Sequence, residues 1–362
     1  MTDLFEPAAF RTALHGWLDD NDLTPPPDQT LSGHIRQFAR VQRALYDAGW
    51  SRYGWPEHAG GLGGPAMLRA IVGEEVVGRR LAEPGPYSML EVLAPTMIDY
   101  APPELAAEMV PKLLSGEEQW CQGFSEPGSG SDLASLTTRA VQLGDQWIVN
   151  GQKVWTSFAQ YSHRCILLTR TGDADTPNHE AITAFFIDMD TPGITVRPLR
   201  TMHDVDEFCE VYFDDVAVDA NRMLGKPGDG WRLAMDLLPY ERSTCFWQRI
   251  AYLYSRFDAL IGEVRGVGTA VDLDLGETYL ALHTLRCRSP QCRTSIRCCG
   301  VALKRRLFRC AKNSESGSFV GVRLESLFSL VRLTNGRGLP RATFVALSPA
   351  SRQRICGTTW RS

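Results

Sequence analysis

Hydrophobic and polar positions change their spacing twice along the chain, which predicts three regions. Up to about residue 118, apolar residues recur at helical spacing in FRTALHGWLDDN, HIRQFARVQRALYDAG, AMLRAIVGEEVVGRRLA and PPELAAEMVPKLLSGEE. Between about 119 and 220 the spacing becomes alternating, as in strands. From about 221 the helical spacing returns in a long run that begins GWRLAMDLLPYERS. The pattern predicts an α+β chain with an N-terminal helical domain, a middle β-barrel or sandwich domain and a C-terminal helical domain.

The middle region combines strand-like segments with one polar, flexible stretch. TTRAVQLGDQWIVNGQKVWTSF contains a Gly-Asp pair and an Asn-Gly pair, which predict two antiparallel hairpin turns. HRCILLTRT, AITAFFIDMD, ITVRPLRTM and CEVYFDDVAV follow as further strands. At the start of the region, CQGFSEPGSGSDLAS has the composition of a loop that approaches a ligand closely. A solvated Gly/Ser turn is the alternative interpretation.

Composition excludes several classes of function. The chain has 362 residues and a net charge of −4, which gives no reason to expect binding to nucleic acid or to a membrane surface. No run of about 20 apolar residues occurs, so we expect no membrane span. The first residues are acidic where a signal peptide needs cations, which predicts a cytoplasmic location. Cysteines scattered through the first two thirds of the sequence suit reduced, buried thiols: Cys121, Cys165, Cys209 and Cys245.

Five segments in register carry a family resemblance. The polar loop, NGQKVWTSFA, DMDTPGITVRPL, FDDVAV and LPYERS together resemble the acyl-CoA dehydrogenases in order and spacing, over residues 1 to about 289. The resemblance implies a helical domain at 1–118, a β-domain at 119–220 and the start of a C-terminal helical domain at 221–289. It implies FAD as cofactor and oxidation of an acyl-CoA thioester to a trans-2-enoyl-CoA, a reaction of lipid metabolism. It also implies an electron-transfer flavoprotein or a similar acceptor, and a homo- or hetero-tetramer.

The resemblance assigns cofactor contacts to the polar loop. Gln122, Phe124 and Ser125 correspond to flavin-contacting positions, and Ser125 stands where the family usually has Thr. Gly130 and Ser131 correspond to the place where the loop meets flavin and substrate. Glycines would let the backbone come close, and fixed N–H donors would tune the electron demand of the flavin ring.

The segment KVWTSF would form a second wall of the same site. Trp155 corresponds to the aromatic residue that stacks near the flavin, and Ser157 corresponds to a hydroxyl beside flavin N5. The alternative interpretation is a core Trp on a strand followed by an exposed Ser.

Removal of an α-proton needs a base near the α-carbon of the substrate. Family members place this Glu either before a late Gly-Thr pair or on an early C-terminal helix, within a Pro-x-Glu-Arg pattern. LPYERS supplies Glu241 in the second location, whereas Cys356 precedes the last Gly-Thr pair. Arg242 would face the CoA or thioester region of the substrate. A solvated Glu–Arg pair on a helix surface is the alternative.

The sequence departs from the family pattern near its end. The Arg-x-x-Phe-Gly stretch that reaches a neighbouring subunit's FAD is missing from EVRGVGTAVDLDLGETYL. Residues 290–362 contain fourteen basic residues, two acidic residues and little helical spacing. The ending GTTWRS, in place of Gly-Thr-Thr-Glu-Ile-Gln, suggests a shifted reading frame. We therefore expect an aberrant tail, weak FAD binding and no family-type tetramer.

The basic, cysteine-rich tail has two further interpretations, neither of which we favour. Four cysteines lie close together in sequence, but their spacing matches no usual zinc pattern and no His assists them: Cys287, Cys292, Cys298 and Cys299. A nucleic-acid-binding arm would be solvated, whereas this segment contains VGVRLESLFSLVRL. We expect no metal site and no nucleic-acid partner.

Three functional hypotheses remain open from the sequence. The first is an active FAD-dependent acyl-CoA dehydrogenase. The second is a non-catalytic remnant or partner subunit with an incomplete FAD site, and the third is an acyl-CoA oxidase that turns over with oxygen alone. The loop and Glu241 favour activity, and the tail argues against it.

Overall fold

The computed structural model describes residues 5–26, 28, 30–202 and 204–267. This part begins with five α-helices, α1 (Pro7–Asp20), α2 (Leu31–Asp47), α3 (Met67–Gly78), α4 (Pro84–Tyr100) and α5 (Pro103–Leu114). Eight strands follow, β1 (Trp120–Gly123), β2 (Arg139–Leu143), β3 (Gln146–Ser157), β4 (Arg164–Arg170), β5 (Ile182–Asp188), β6 (Ile194–Leu199), β7 (Phe208–Asp219) and β8 (Met223–Leu224), and then α6 (Gly230–Val267). The predicted helical N-terminal region and β-sheet middle domain are confirmed. The predicted tail at 290–362, its cysteines and Cys356 lie outside the described residues.

The N-terminal helices start at residues suited to helix ends. The Glu6 carboxylate accepts a hydrogen bond from the Ala8 N–H at the start of α1, and the Thr30 hydroxyl accepts one from the Gly33 N–H in α2. The first helical position of α4 is Pro84, where a missing N–H costs nothing. Their buried faces meet in one apolar core, which also receives side chains from β4, β5 and α6.

The strands form one eight-stranded sheet in the order β6-β7-β3-β2-β4-β5-β8, with β1 paired to β4. The β1–β4 pairing is parallel, and β4–β5, β3–β7 and β6–β7 are antiparallel. On β4, Ile166 packs into the helical core and Leu167 packs into a second core on the other face of the sheet. The rings of Trp147 on β3 and Phe185 on β5 lie 5.5 Å apart in that second core. The sheet therefore curves over and encloses its own apolar interior.

One predicted hairpin turn is wrong. Asn150 and Gly151 lie inside β3, which continues past them with a register shift against β7. Gly151 has a φ of 149°, and a Cβ there would lie 2.6 Å from the Thr138 hydroxyl. The Asn150 side chain donates to the Asp215 carboxylate and accepts from the Asp215 N–H, both at 2.9 Å. Between the Val149–Val216 and Gly151–Phe213 pairs β3 advances two residues and β7 three, so the Asn-Gly pair lies opposite a bulge in β7.

The long helix α6 packs against the N-terminal helices α3 and α4. A Cβ on Gly73 of α3 would lie 2.8 Å from Gln248 Nε2, so the two helices approach closely there. Tyr240 donates a hydrogen bond of 3.3 Å to Asp99 on α4. Among the helices of the described part, none combines the length and apolarity needed to cross a membrane.

Three of the four scattered cysteines lie in the described part with resolved surroundings. Cys121, Cys165 and Cys209 are free thiols buried in the sheet. A hydrogen bond with Cys165 and burial raise the pKa of Cys121 well above its usual range. These three positions agree with the predicted free, buried thiols, and the Cys245 side chain lies outside the described part.

Candidate functional site

The polar loop at 122–131 starts on a buried strand and ends in solvent. Gln122 lies on β1, and its Oε1 atom is buried without a hydrogen-bond partner in the described residues. Phe124 and Ser125 are half-buried, and Gly130 and Ser131 are exposed. The loop therefore has a fixed base on β1 and an open tip.

A buried ion pair holds the base of this loop. Lys153 of β3 is fully buried, and its Nζ donates to Glu126 Oε1 at 2.8 Å and to the Phe124 carbonyl at 3.1 Å. Glu126 also accepts from the N–H and hydroxyl of Thr137, each at 2.7 Å, and from the Thr138 N–H at 2.8 Å. Burial alone would raise the pKa of Glu126, but the Lys153 charge and these hydrogen bonds lower it to about 2.

Strand β3 is distorted where it faces the loop. A register shift separates Lys153 from Thr156, and Trp155 between them has a left-handed φ of 61°. Trp155 is 61% exposed and meets the edge of Phe208 at 5.9 Å between ring centroids. Ser157, at the end of β3, is half-buried and pairs with Phe208 on β7. The bulge thus presents a large aromatic face to solvent.

The loop and the distorted strand are joined directly. The Val154 N–H donates to the Ser125 carbonyl at 2.9 Å. Thr156, two residues further on, has a buried hydroxyl without a partner in the described residues. Helix α4 begins nearby, because a Cβ on Gly85 would lie 3.1 Å from the Phe158 ring. One wall therefore contains the loop base, the end of β3 and the start of α4.

Glu241 lies on the inward face of α6. Buried Leu237 precedes it by four residues and buried Gln248 follows it by seven, and both spacings return to the same side of an α-helix. Glu241 itself is half-buried, and Arg242 is exposed. Within the described part, no hydrogen bond or ion pair holds the Glu241 carboxylate. Arg242 therefore faces solvent, whereas Glu241 lies partly inside the packed face of α6.

A second polar group is buried between α3, α4 and α6. Arg69 Nε lies 3.6 Å from Glu91 Oε2, and the guanidinium stacks 3.8 Å from the centroid of the Trp55 ring. Burial raises the pKa of Glu91, and the Arg69 charge opposes the shift. Burial, assisted by the Glu91 charge, raises the pKa of Tyr87 well above its usual range. Arg69 Nε, Glu91 Oε2 and Gln248 Oε1 have no hydrogen-bond partner among the described residues.

This fold and these motifs define a family. Residues 121–216 match the model of the acyl-CoA dehydrogenase middle domain. Acyl-CoA dehydrogenase IpdE1 of Mycobacterium tuberculosis (strain ATCC 25618 / H37Rv) is 38% identical over 251 residues, which are 67% of this chain and 65% of that protein. IpdE1 of Mycolicibacterium smegmatis (strain ATCC 700084 / mc(2)155) is 35% identical over 267 residues, which are 69% of this chain and 68% of the relative. The chain belongs to the acyl-CoA dehydrogenase family.

A solved structure supports the same assignment. The Tcur3481-Tcur3483 steroid ACAD has a TM-score of 0.64 and 29% sequence identity, over 77% of this chain and 72% of that chain. The chain matches about two thirds of the length of the two mycobacterial relatives. Acyl-CoA dehydrogenases are oxidoreductases of the flavoprotein class.

The structure brings together some of the predicted site residues. Ser125 is joined to β3 through the Val154 N–H, which places the loop base beside Trp155 and Ser157. The described contacts of α6 around Glu241 run to α3 and α4. The cofactor and catalytic roles of these residues stay predictions.

Sequence reasoning missed the ion pair that holds the loop. Lys153 lies at the same strand parity as the buried Trp147 and Val149, and a Lys at an inward position needs an acidic partner. This alternation could have predicted from the sequence that Lys153 is buried and paired with an acid. The partner, Glu126, sits in the Glu-Pro-Gly segment, where it looks like an ordinary loop residue.

Proposed function

We propose that this chain is an FAD-dependent acyl-CoA dehydrogenase that uses Glu241 as the base. The observation that carries the proposal is the single wall formed by the 122–131 loop and the distorted end of β3 in a member of this family. A second observation is that Glu241 lies on the inward face of α6, with no partner in the described part.

The residues of the wall fit a flavin. Gln122 Oε1 and Thr156 Oγ1 are buried polar atoms that have no partner among the described residues, and buried polar atoms normally have one. Trp155 offers an exposed aromatic face. Gln122, Phe124, Ser125, Trp155 and Ser157 would hold the ring. FAD, when bound, supplies the acceptor for the β-hydrogen and its electron pair.

The chain's own residues would supply binding and proton transfer. Glu241 takes the α-proton of the acyl thioester, and a C=C bond forms between the α- and β-carbons as the β-hydrogen leaves with its electrons. Gly130 and Ser131, at the open tip of the loop, would contact the substrate. Arg242, exposed beside the base, would contact the CoA or thioester part. An electron-transfer flavoprotein or similar acceptor would then reoxidise the flavin.

The test is anaerobic mixing of purified, FAD-loaded protein with a panel of acyl-CoA thioesters, followed by flavin bleaching. Because one structural neighbour is a steroid ACAD, the panel includes acyl-CoAs derived from steroid side chains and rings as well as straight chains. Glu241→Gln keeps size and removes basicity, so we expect bleaching to slow by about 10²–10⁴-fold. Glu104→Gln, on the exposed first turn of α5, is the matched control and should behave as the parent. A Glu241→Gln rate within a few-fold of the parent would show that the base lies elsewhere.

A partner subunit is the second candidate function. The observation that favours it is that the neighbouring steroid ACAD is named for two proteins, Tcur3481 and Tcur3483. If the chain is a partner subunit, its flavin should not bleach with any acyl-CoA when the chain is alone. Bleaching should then appear only when a second chain is added. Turnover with oxygen alone would instead indicate an acyl-CoA oxidase.

A further inference from the structure

We propose that the buried Glu126–Lys153 ion pair positions the 127–132 tip of the loop for the cofactor. The inference rests on the proposed function, because it assigns the loop to the flavin. It concerns positioning residues, since neither side chain is exposed enough to touch a ligand itself.

The ion pair connects the two ends of the loop segment to the sheet. The Glu126 carboxylate is bonded to Lys153 on β3 and to Thr137 and Thr138, which follow the loop. Lys153 in turn donates a hydrogen bond to the Phe124 carbonyl, which precedes the 127–132 tip. One ion pair therefore fixes the chain at both ends of the 127–136 segment and ties both ends to the sheet.

The base of the loop is buried, whereas its tip is exposed. Glu126 and Lys153 are 6% and 0% exposed, whereas Pro127 and Gly130 belong to an exposed tip. A Cβ added at Gly130 would meet nothing within 4 Å. A fixed base below an open tip is the arrangement that presents backbone N–H groups to a ligand without further ordering.

Backbone hydrogen bonds give the tip a defined shape, which an experiment can follow. The Ser129 N–H donates to the Glu126 carbonyl at 3.0 Å, and the Glu126 N–H donates to the Ser129 carbonyl at 2.7 Å. The buried Ser129 hydroxyl donates to the Asp132 carbonyl at 2.8 Å. Loss of the ion pair would loosen this turn first, because Glu126 belongs to both the turn and the pair.

The test compares Lys153→Met with Arg164→Met. Arg164 also forms an ion pair in the β-domain, with Glu118 at 3.0 Å, but it lies on β4 and contacts no residue of 126–132 in the described part. Hydrogen exchange is measured on cofactor-free protein, and FAD affinity is measured by quenching of flavin fluorescence. We expect Lys153→Met to speed exchange of the Ser129 amide at least tenfold and to weaken FAD binding at least tenfold. Arg164→Met should change neither, although both variants lower the melting temperature.

The exchange measurement needs no flavin, so it separates this inference from the proposed function. If the parent protein binds no FAD but Lys153→Met still loosens the Ser129 amide selectively, the positioning role stands and the proposed function fails. Equal exchange at Ser129 in Lys153→Met and Arg164→Met would overturn the inference. So would unchanged FAD affinity and an unchanged flavin absorption spectrum in Lys153→Met. If Lys153→Met does not fold, Glu126→Gln, which keeps the shape and the acceptor oxygen, carries the same two measurements.

Discussion

Replacing Trp155 with glycine should leave a more stable protein than replacing it with alanine. Trp155 has a φ of 61°, a left-handed conformation that costs a residue with a Cβ about 1–2 kcal/mol. Glycine escapes that cost but gives up about 0.5–1 kcal/mol through the greater freedom of its unfolded chain. Both substitutions delete the same ring and the same contact with Phe208. The difference between them therefore isolates the backbone, and we expect Trp155→Gly to be more stable by about 0.5–1 kcal/mol.

The assay is thermal and urea unfolding of the two variants, followed by far-ultraviolet circular dichroism. For a unit of this size the expected difference corresponds to about 1–4 °C in melting temperature. Gln142 is the control position, because it is an exposed strand residue whose φ is not left-handed. There, glycine should be less stable than alanine, so the order reverses. If Trp155→Ala is at least as stable as Trp155→Gly, the backbone at Trp155 is not strained and the reasoning is refuted.

The same pair of variants separates stability from cofactor binding. If the Trp155 ring forms part of the flavin wall, both variants should weaken FAD binding to the same extent, although their stabilities differ. Parallel changes in stability and affinity would mean that the ring acts on FAD only through the fold of the strand.

Further predictions concern three carboxylates. Glu126 has a folded pKa of about 2 against an ordinary value of 4.5, so its contribution to the stability of the folded protein is present above pH 4.5 and is lost as the pH falls toward 2. In the Glu126→Gln variant, urea midpoints measured from about pH 2.5 to 7 should therefore fall less steeply toward acid pH than in the parent. Glu91 has a raised pKa, so its contribution to the stability of the folded protein is present below pH 4.5 and is lost as the pH rises through the pKa of the folded state. Glu91→Gln should therefore gain stability relative to the parent at higher pH. A gain only at acid pH would contradict the raised pKa. Glu241→Gln should keep the parental melting temperature within about 1 °C while it loses flavin bleaching, because its carboxylate is half-buried and has no partner in the described part.

The order of domains could be predicted from the sequence because periodicity reports burial directly. The helices around Leu14 and Phe38 carry the spacing of one buried face, whereas the strands around Leu167 and Phe185 are buried on both faces and read as continuous apolar runs. Helix α4 was not predicted, since its segment PGPYSMLEVLAPTMIDY contains three prolines. Two of them lie in the first turn, where proline is tolerated. The third, Pro95, lies inside the helix, where the burial of most of the helix offsets the cost of the proline.

The Asn150–Gly151 pair shows why a local signal can fail. Such a pair prefers a two-residue hairpin turn, and the sequence around it alternates as hairpins do. In the structure, however, Asp215 on β7 satisfies the Asn150 amide, and Gly151 makes room for Thr138. Both partners are distant in sequence, and only the assembled sheet brings them to the pair. Periodicity within β3 alone contains no information about them.

The candidate site was predictable as a set of motifs but not as a geometry. The resemblance selected the loop, Trp155 and Glu241, since those segments are short and chemically distinctive. It did not identify Lys153, whose role depends on Glu126, a loop residue 27 positions away in sequence whose Oε1 atom lies 2.8 Å from the Lys153 Nζ atom. It also gave no sign of the left-handed conformation at Trp155, because a Trp in a strand ordinarily has an extended backbone.

The strain in the described part is concentrated where the cofactor is proposed to bind. Five residues other than glycine have a left-handed φ, and three of them are Arg80, Asp204 and Asp215. Asp adopts this conformation readily, so those two need no special support. Trp155 and Phe158 are large aromatic residues, for which it is costly, and they lie three positions apart at the end of β3. Neighbouring contacts must hold them there, as the Glu207 carbonyl does by accepting a hydrogen bond from the Phe158 N–H at 2.8 Å. Costly backbone conformations of this kind cluster at functional sites in proteins, so their recurrence within one short segment supports the proposed position of the cofactor.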